Sequence, residues 1–171
     1  MWRAFHRMRR DLDRALERQL AQDAGLSSAD FEVLVPVSEA ADRQLRARDL
    51  VRILSWDRSR LSHHLRRMES RGLIERRDCP GDARGTVIAL TPAGWSLIQA
   101  AAPAHVAAVR SYVFDVLTPA DVRTFAGLAE RITDRIALVT AAACADADEA
   151  CDTDAGGPGP SEADLDEPGC G

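Results

Sequence analysis

Residues 57–72 read DRSRLSHHLRRMESRG. Wound at about 100° per residue, Leu61, Leu65 and Met68 fall on one narrow face, the stripe of a helix packed on a small core. The opposite face carries Ser59, Ser62, His63, Arg66 and Ser70, with Arg60 and Arg67 at its edge, so it is rich in donors and nearly free of acid. Short hydroxyls suit base edges and phosphates at close range, and the longer Arg and His side chains reach guanine acceptors or the nucleic-acid backbone. A solvated surface helix can carry the same face, because Arg covers surfaces of many kinds. The flanking sequence decides between the two.

Directly after this stretch, residues 73–77 (LIERR) and 86–90 (TVIAL) are strand-like runs on either side of DCPGDARG, whose Pro, Gly and Asp predict a β-hairpin. Directly before it, residues 46–54 (RARDLVRIL) predict a short amphipathic helix with Leu50, Ile53 and Leu54 apolar, and Ser55-Trp56 leaves room only for a tight turn. Helix, tight turn, basic helix and basic hairpin make a winged helix-turn-helix over about residues 28–91. The candidate DNA contacts are Arg58, Ser59, Arg60, Ser62, His63, Arg66 and Arg67 on the helix and Arg77 on the hairpin.

Charge follows the same partition. The net charge of −5 conceals an acidic end, since residues 143–171 hold nine acids and no base, leaving 22 bases against 18 acids in residues 1–142. From 46 to 84, eleven Arg face six acids, a local +5 in the segment already selected by pattern. All 22 basic residues are Arg, which gives every basic position the planar fork that reads guanine and phosphate bidentately.

Other classes find little support. No apolar run approaches the roughly 18 residues of a membrane span, and the N-terminus has no signal-peptide core, so a cytoplasmic protein without a membrane partner is expected. Cys79, Cys144, Cys151 and Cys170 show no CxxC spacing, which supports neither zinc nor a disulfide framework. There is no Ser-His-Asp arrangement, phosphate-binding glycine loop or HExxH, and the adjacent His63 and His64 diverge too far on a helix to chelate together. No enzyme, metal or cofactor is expected.

Around the winged module the chain is helical. Trp2, Phe5, Met8, Leu12, Leu16 and Leu20 follow helical spacing up to Gly25, and Ser27 with Asp30 forms a capping-box pattern for the next helix, with Pro36 expected to kink or end it. Residues 41–44 read as a connector. Thr91-Pro92 opens a long helix with a bend expected at Pro103, and Thr118-Pro119-Ala120-Asp121 opens another lined by Val122, Phe125, Ala129, Ile132, Ile136 and Val139. The helices of about 1–24 and 92–142 carry more apolar surface than the winged module covers, which predicts a dimerisation region. A two-fold dimer would set two recognition helices about one DNA turn, roughly 34 Å, apart on a palindrome. From about Ala143 acids, Gly and Pro replace the apolar periodicity, and a disordered tail is expected. The fold class is thus mainly α with a small β-wing (α+β).

The run from Arg46 to Gly94, RARDLVRILSWDRSRLSHHLRRMESRGLIERRDCPGDARGTVIALTPAG, resembles the MarR family of bacterial transcription regulators, and the resemblance extends over about residues 2–140. It implies a homodimer with N- and C-terminal dimerisation helices and two winged lobes, in which Arg60, Ser62 and His63 approach bases. It also implies that Arg84 enters the minor groove from the wing and that Asp82 orients it. His63 departs from the Arg of many relatives, which puts any carried-over base preference in doubt. The same resemblance points to repression relieved by a small aromatic or phenolic effector, with His6, Arg7 and Phe31 as candidate ligand contacts. Two other readings stand beside it: a winged-helix protein-interaction module, which the local +5 opposes, and a redox-responsive regulator using Cys79, whose neighbouring cations favour a thiolate but which has no visible resolving partner.

Overall fold

The computed structural model describes residues 1–79 and 82–154. Helix α1 (Trp2–Ala24) ends where Gly25 adopts a left-handed φ of 62°, so that the Gly25 and Leu26 N–H groups return to the carbonyls of Ala21 and Leu20, each at 3.2 Å. Helix α2 (Ser28–Glu39) opens with the expected capping box: Ser27 Oγ accepts the Asp30 N–H at 3.1 Å and the Asp30 carboxylate accepts the Ser27 N–H at 3.0 Å. Pro36 does not end the helix, which runs to Glu39. Glu32, whose carbonyl Pro36 leaves without its helical donor, is exposed and can be solvated there.

The connector expected at 41–44 is instead a 3₁₀ turn (Ala41–Arg43) and a strand, β1 (Gln44–Arg46), which pairs Leu45 opposite Ile88. Helix α3 (Ala47–Leu54) turns at Ser55, left-handed at φ 53°, into α4 (Arg58–Ser70). Gly72, at φ 70°, then releases the chain into β2 (Ile74–Cys79) and β3 (Asp82–Leu90), and the antiparallel sheet has the order β1-β3-β2. Thr91 caps α5 (Pro92–Tyr112), accepting the Gly94 N–H at 3.0 Å while its hydroxyl donates to the Gly72 carbonyl at 2.6 Å, so the sheet's exit is tied to the end of α4. Helix α5 continues through Pro103, and a short 3₁₀ turn (Phe114–Val116) follows it.

Met1–Leu117 is one compact unit. Its core joins Leu20 and Leu26 with Val33, Leu34 and Val37 of α2, Leu50 of α3, Leu61, Leu65 and Met68 of α4, Ile74 and Ile88 of the sheet and Ile98 of α5, all at most 3 % exposed. A second unit begins at Thr118, and its described part is α6 (Pro119–Asp154). Along α6, Phe125, Leu128, Ile132, Ile136 and Val139 recur at helical spacing and are exposed. The helix continues through residues 143–154, where the tail was expected to begin. Residues 155–171 of the tail lie outside the described residues.

Gly94 sets how closely α5 approaches the end of α4, since a Cβ there would lie 1.9 Å from the Leu73 carbonyl oxygen. Gly94→Ala should destabilise the protein by roughly 2 kcal/mol or more by overpacking, read as a lower thermal midpoint in circular dichroism. Gly127→Ala, where a Cβ meets nothing within 4 Å, should leave the midpoint unchanged or raise it.

Candidate nucleic-acid interface

The N-terminus of α4 is built by Asp57, whose Oδ1 accepts the Arg60 N–H at 2.7 Å and the Ser59 hydroxyl at 2.6 Å; the Ser59 hydroxyl and then the backbone donor hold this carboxyl below its ordinary range. Leu61, His64, Leu65 and Met68 turn inward. That phase leaves Arg58, Ser59, Arg60, Ser62, His63, Arg66 and Arg67 all exposed, so the seven helix residues selected from the sequence share the open side. Arg66 Nε lies 3.4 Å from the Ser62 carbonyl, and the Arg60 guanidinium lies 4.0 Å from the Trp56 ring centre.

The hairpin is fixed to this helix by Arg76, which the sequence reading did not select. Its Nη2 donates to the Ser62 carbonyl at 3.0 Å, its Nε is 3.4 Å from Glu69, and its backbone N–H donates to the same carboxylate at 3.3 Å. Its basic neighbours in sequence hid this bracing role. Arg77 is exposed and pairs with Glu75 on its own strand, so its charge is partly neutralised. Asp82 and Arg84 belong to β3, but their side chains, like that of Cys79, lie outside the described residues. Between α3, α4 and β3 a cleft of about 400 Å³ is lined by Arg46, Arg48, Arg58 and Arg76 together with Ser62 and Thr86. Among the described residues no carboxylate lines it, so it favours anions.

Behind the open face lies a buried polar cluster. Asp30 is 2 % and His64 6 % exposed, with His64 Nε2 3.1 Å from Asp30 Oδ1 but not aligned for a hydrogen bond. Arg71 donates from Nη1 to Asp30 Oδ2 at 2.7 Å and from Nη2 to the Gly25 carbonyl at 3.1 Å. Burial alone would raise the Asp30 pKa, but the hydrogen bonds from Arg71 and from Ser27 outweigh it and hold the carboxyl below its ordinary value. Burial pushes the His64 pKa down, against a smaller opposing pull from the Asp30 charge.

The proposed ligand trio does not gather. His6 packs with Trp2 at 4.3 Å and Arg7 pairs with Asp11 at 3.7 Å, whereas Phe31 meets His105 at 4.4 Å. The cavity beside Phe31 is lined from α1 by Asp13, Leu16, Glu17 and Leu20, which at about 1.5 Å rise per residue stand roughly 10–20 Å along the helix from His6. His105 is the residue that the sequence left unplaced, because the contact spans helices far apart in the chain. Its Nδ1 lies 3.1 Å from Gln19 Oε1, and Gln19 Nε2 donates to Asp23 at 2.9 Å, which fixes the amide orientation and assigns the imidazole proton to Nδ1.

A basic helix on the open side of a helix-turn-helix, braced by a three-stranded wing, defines a winged-helix DNA-binding protein. The MarR family profile matches residues 24–85. Sco3205, a MarR family transcriptional regulator from Streptomyces coelicolor solved in complex with DNA, is 37 % identical, with a TM-score of 0.74 over 77 % of this chain and 83 % of that one. AbsC, a MarR family transcriptional regulator from the same organism, is 36 % identical, with a TM-score of 0.76 over 79 % of this chain and 90 % of that one. A cysteine-to-serine mutant of MarR from Escherichia coli, complexed with operator DNA, is 27 % identical, with a TM-score of 0.69 over 76 % of this chain and 91 % of that one. No curated protein matches the chain at a significant level. The chain belongs to the MarR family and is a DNA-binding transcription regulator.

The buried cluster sets the stability of the lobe and its response to acid. Arg71→Ala should cost roughly 2 kcal/mol in urea unfolding, less than a wholly buried pair because the guanidinium side chain is 42 % exposed. Adding Asp30→Asn should recover part of that loss. Because His64, like His105, binds its proton less readily folded than unfolded, stability should be full above the ordinary value of 6.5 and fall as pH drops below it. Asp30 adds a further loss only as pH falls below 3.8. His64→Gln should flatten the first limb of that profile.

Proposed function

We propose that this regulator is a homodimeric repressor that reads a palindromic duplex and is released by a small aromatic effector. The observation that carries the DNA-reading assignment is the uniform exposure of Arg58, Ser59, Arg60, Ser62, His63, Arg66 and Arg67 on α4 above an inner face of Leu61, His64, Leu65 and Met68. Ser62 and His63 are assigned to base edges. Arg58, Arg66, Arg67 and Arg48 are assigned to phosphates, with Arg84 in the minor groove and Asp82 orienting it. Pairing between copies is supported by the exposed apolar residues Trp2, Phe5 and Met8 on α1 and by the apolar stripe of α6. The basic cleft favours this reading over a protein-interaction module.

For the effector, the cavity of about 400 Å³ beside Phe31 and His105 replaces a site shared with His6 and Arg7. With Nδ1 protonated, His105 Nε2 is an acceptor, which suits a phenolic hydroxyl. Asp13, Glu17 and Glu32 around it disfavour an anionic aromatic, so a neutral phenol fits best.

The test is selection of the full chain on a random-sequence duplex library, followed by anisotropy on the best duplex at several salt concentrations. A palindrome of about 16–20 base pairs is expected, bound with a log–log salt slope near −0.9 per phosphate neutralised. Arg66→Ala should reduce that slope by about one on every duplex, whereas Ser62→Ala or His63→Ala should change the ranking among sequences. Binding indifferent to sequence and to salt would overturn the assignment.

A further inference from the structure

The side chain of Arg60 ends a stack that begins in the protein interior. Its guanidinium carbon is 4.0 Å from the centre of the Trp56 ring, and Trp56 is 7 % exposed. The indole meets the His64 ring edge to face at 5.5 Å and 85°. Beyond the imidazole, its Nε2 is 3.1 Å from Asp30 Oδ1, and the other oxygen of that carboxylate is held by Arg71 and by the Ser27 N–H. Three side chains, Asp30 from the first turn of α2, His64 from the second turn of α4 and Trp56 from the turn before it, thus lead in sequence to one exposed cation. Among the described residues no carboxylate lies within ion-pair distance of Arg60.

We propose that Trp56, His64 and Asp30 are positioning residues for DNA recognition, which hold the Arg60 guanidinium in one orientation at the start of the recognition helix. This rests on the reading of α4 as the DNA-contacting element. A stacked guanidinium offers its face to the indole and keeps its in-plane N–H fork for guanine or a phosphate. Without the indole, the long side chain of Arg60 would occupy many rotamers in the free protein, and freezing one on DNA would lower affinity. Trp56 can serve as the platform because His64 packs edge to face against the ring from behind, with Nε2 3.1 Å from the carboxylate that anchors the end of α4 through Arg71. The sequence separates Trp56, Arg60 and His64 by four residues each, so the two α4 members are neighbours one turn apart at the border between the open and inner sides, and the indole reaches that border from the preceding turn.

The test measures anisotropy of the full chain on its selected duplex and on a scrambled duplex. Arg60→Lys, which keeps the charge and loses the planar fork, should weaken the selected duplex about tenfold and the scrambled one less than twofold, with an unchanged salt slope. Trp56→Leu should do the same, and Trp56→Phe should retain affinity within about threefold. His64→Gln, which keeps a polar side chain beside Asp30 without the ring, should lose severalfold. The Trp56→Leu/Arg60→Lys double variant should be no weaker than either single one, because both remove the same restraint. Additive losses, or a Trp56→Leu variant that keeps the full preference for the selected duplex, would overturn the proposal. If Trp56→Leu melts below the assay temperature, the cycle of His64→Gln with Arg60→Lys decides in the same way. A parent protein that prefers no duplex would instead defeat the DNA-reading assignment, and the positioning role with it.

Discussion

A single buried carboxylate fixes where the recognition helix lies. Asp30 sits at 2 % exposure, and an ionised carboxylate in that position is tolerated only when its lone pairs are met. Ser27 supplies a backbone donor from the start of α2, and Arg71 supplies a guanidinium from the far end of α4 while also reaching the Gly25 carbonyl. His64 approaches from the middle of α4. Apolar contacts between α2 and α4 are non-directional and would accept several registers. The carboxylate accepts one, because its donors must arrive from fixed directions at hydrogen-bonding distance.

That constraint lets α4 serve two purposes. Its inner residues Leu61, Leu65 and Met68 belong to the core, so the helix cannot rotate to present another face without exposing them. Its outer residues are then free of packing roles, and the donors they carry need no partner within the protein because water satisfies them. The wing obeys a similar logic. Arg76 spends its donors on the Ser62 carbonyl and on Glu69, which places the hairpin against the helix, while Arg77 stays at the surface beside Glu75. Two adjacent arginines thus divide structural and surface roles according to the strand's alternation.

Much of this was legible in the sequence because it depends on short-range rules. Gly25, the Ser27–Asp30 box, the Thr91-Pro92 start and the inward stripe of α4 are local signals, and each is where the structure has it. What was missed is long-range or too short to show a period. Strand β1 has three residues, and only its pairing with β3 makes it a strand. Asp30 was readable as a capping acid, but its second use with Arg71 joins residues 41 positions apart. His64 read as one of two adjacent histidines that cannot share a metal, and its burial against Trp56 and Asp30 follows from tertiary packing alone. The same reason separates Phe31 from His6: both are aromatic and helical in sequence, and only the packing of α5 against α2 gives Phe31 its partner in His105.

The geometry also indicates how an effector at the proposed cavity could reach DNA. Phe31, in that cavity, is the residue after Asp30 in the first turn of α2. A ligand that displaces Phe31 by shifting the backbone of this turn would also shift Asp30, which the same turn carries. Such a ligand would bind more tightly to a protein whose Asp30 contacts are loosened, and by reciprocity loosened contacts at α4 would accompany its binding. The coupling is then bounded by what those contacts contribute: a ligand cannot shift the DNA-bound population by more than its own preference between the two arrangements. Release from DNA by this route would require neither a hinge nor a wholesale refolding of the lobe, only that the first turn of α2 be shared between the cavity and the anchor of the recognition helix.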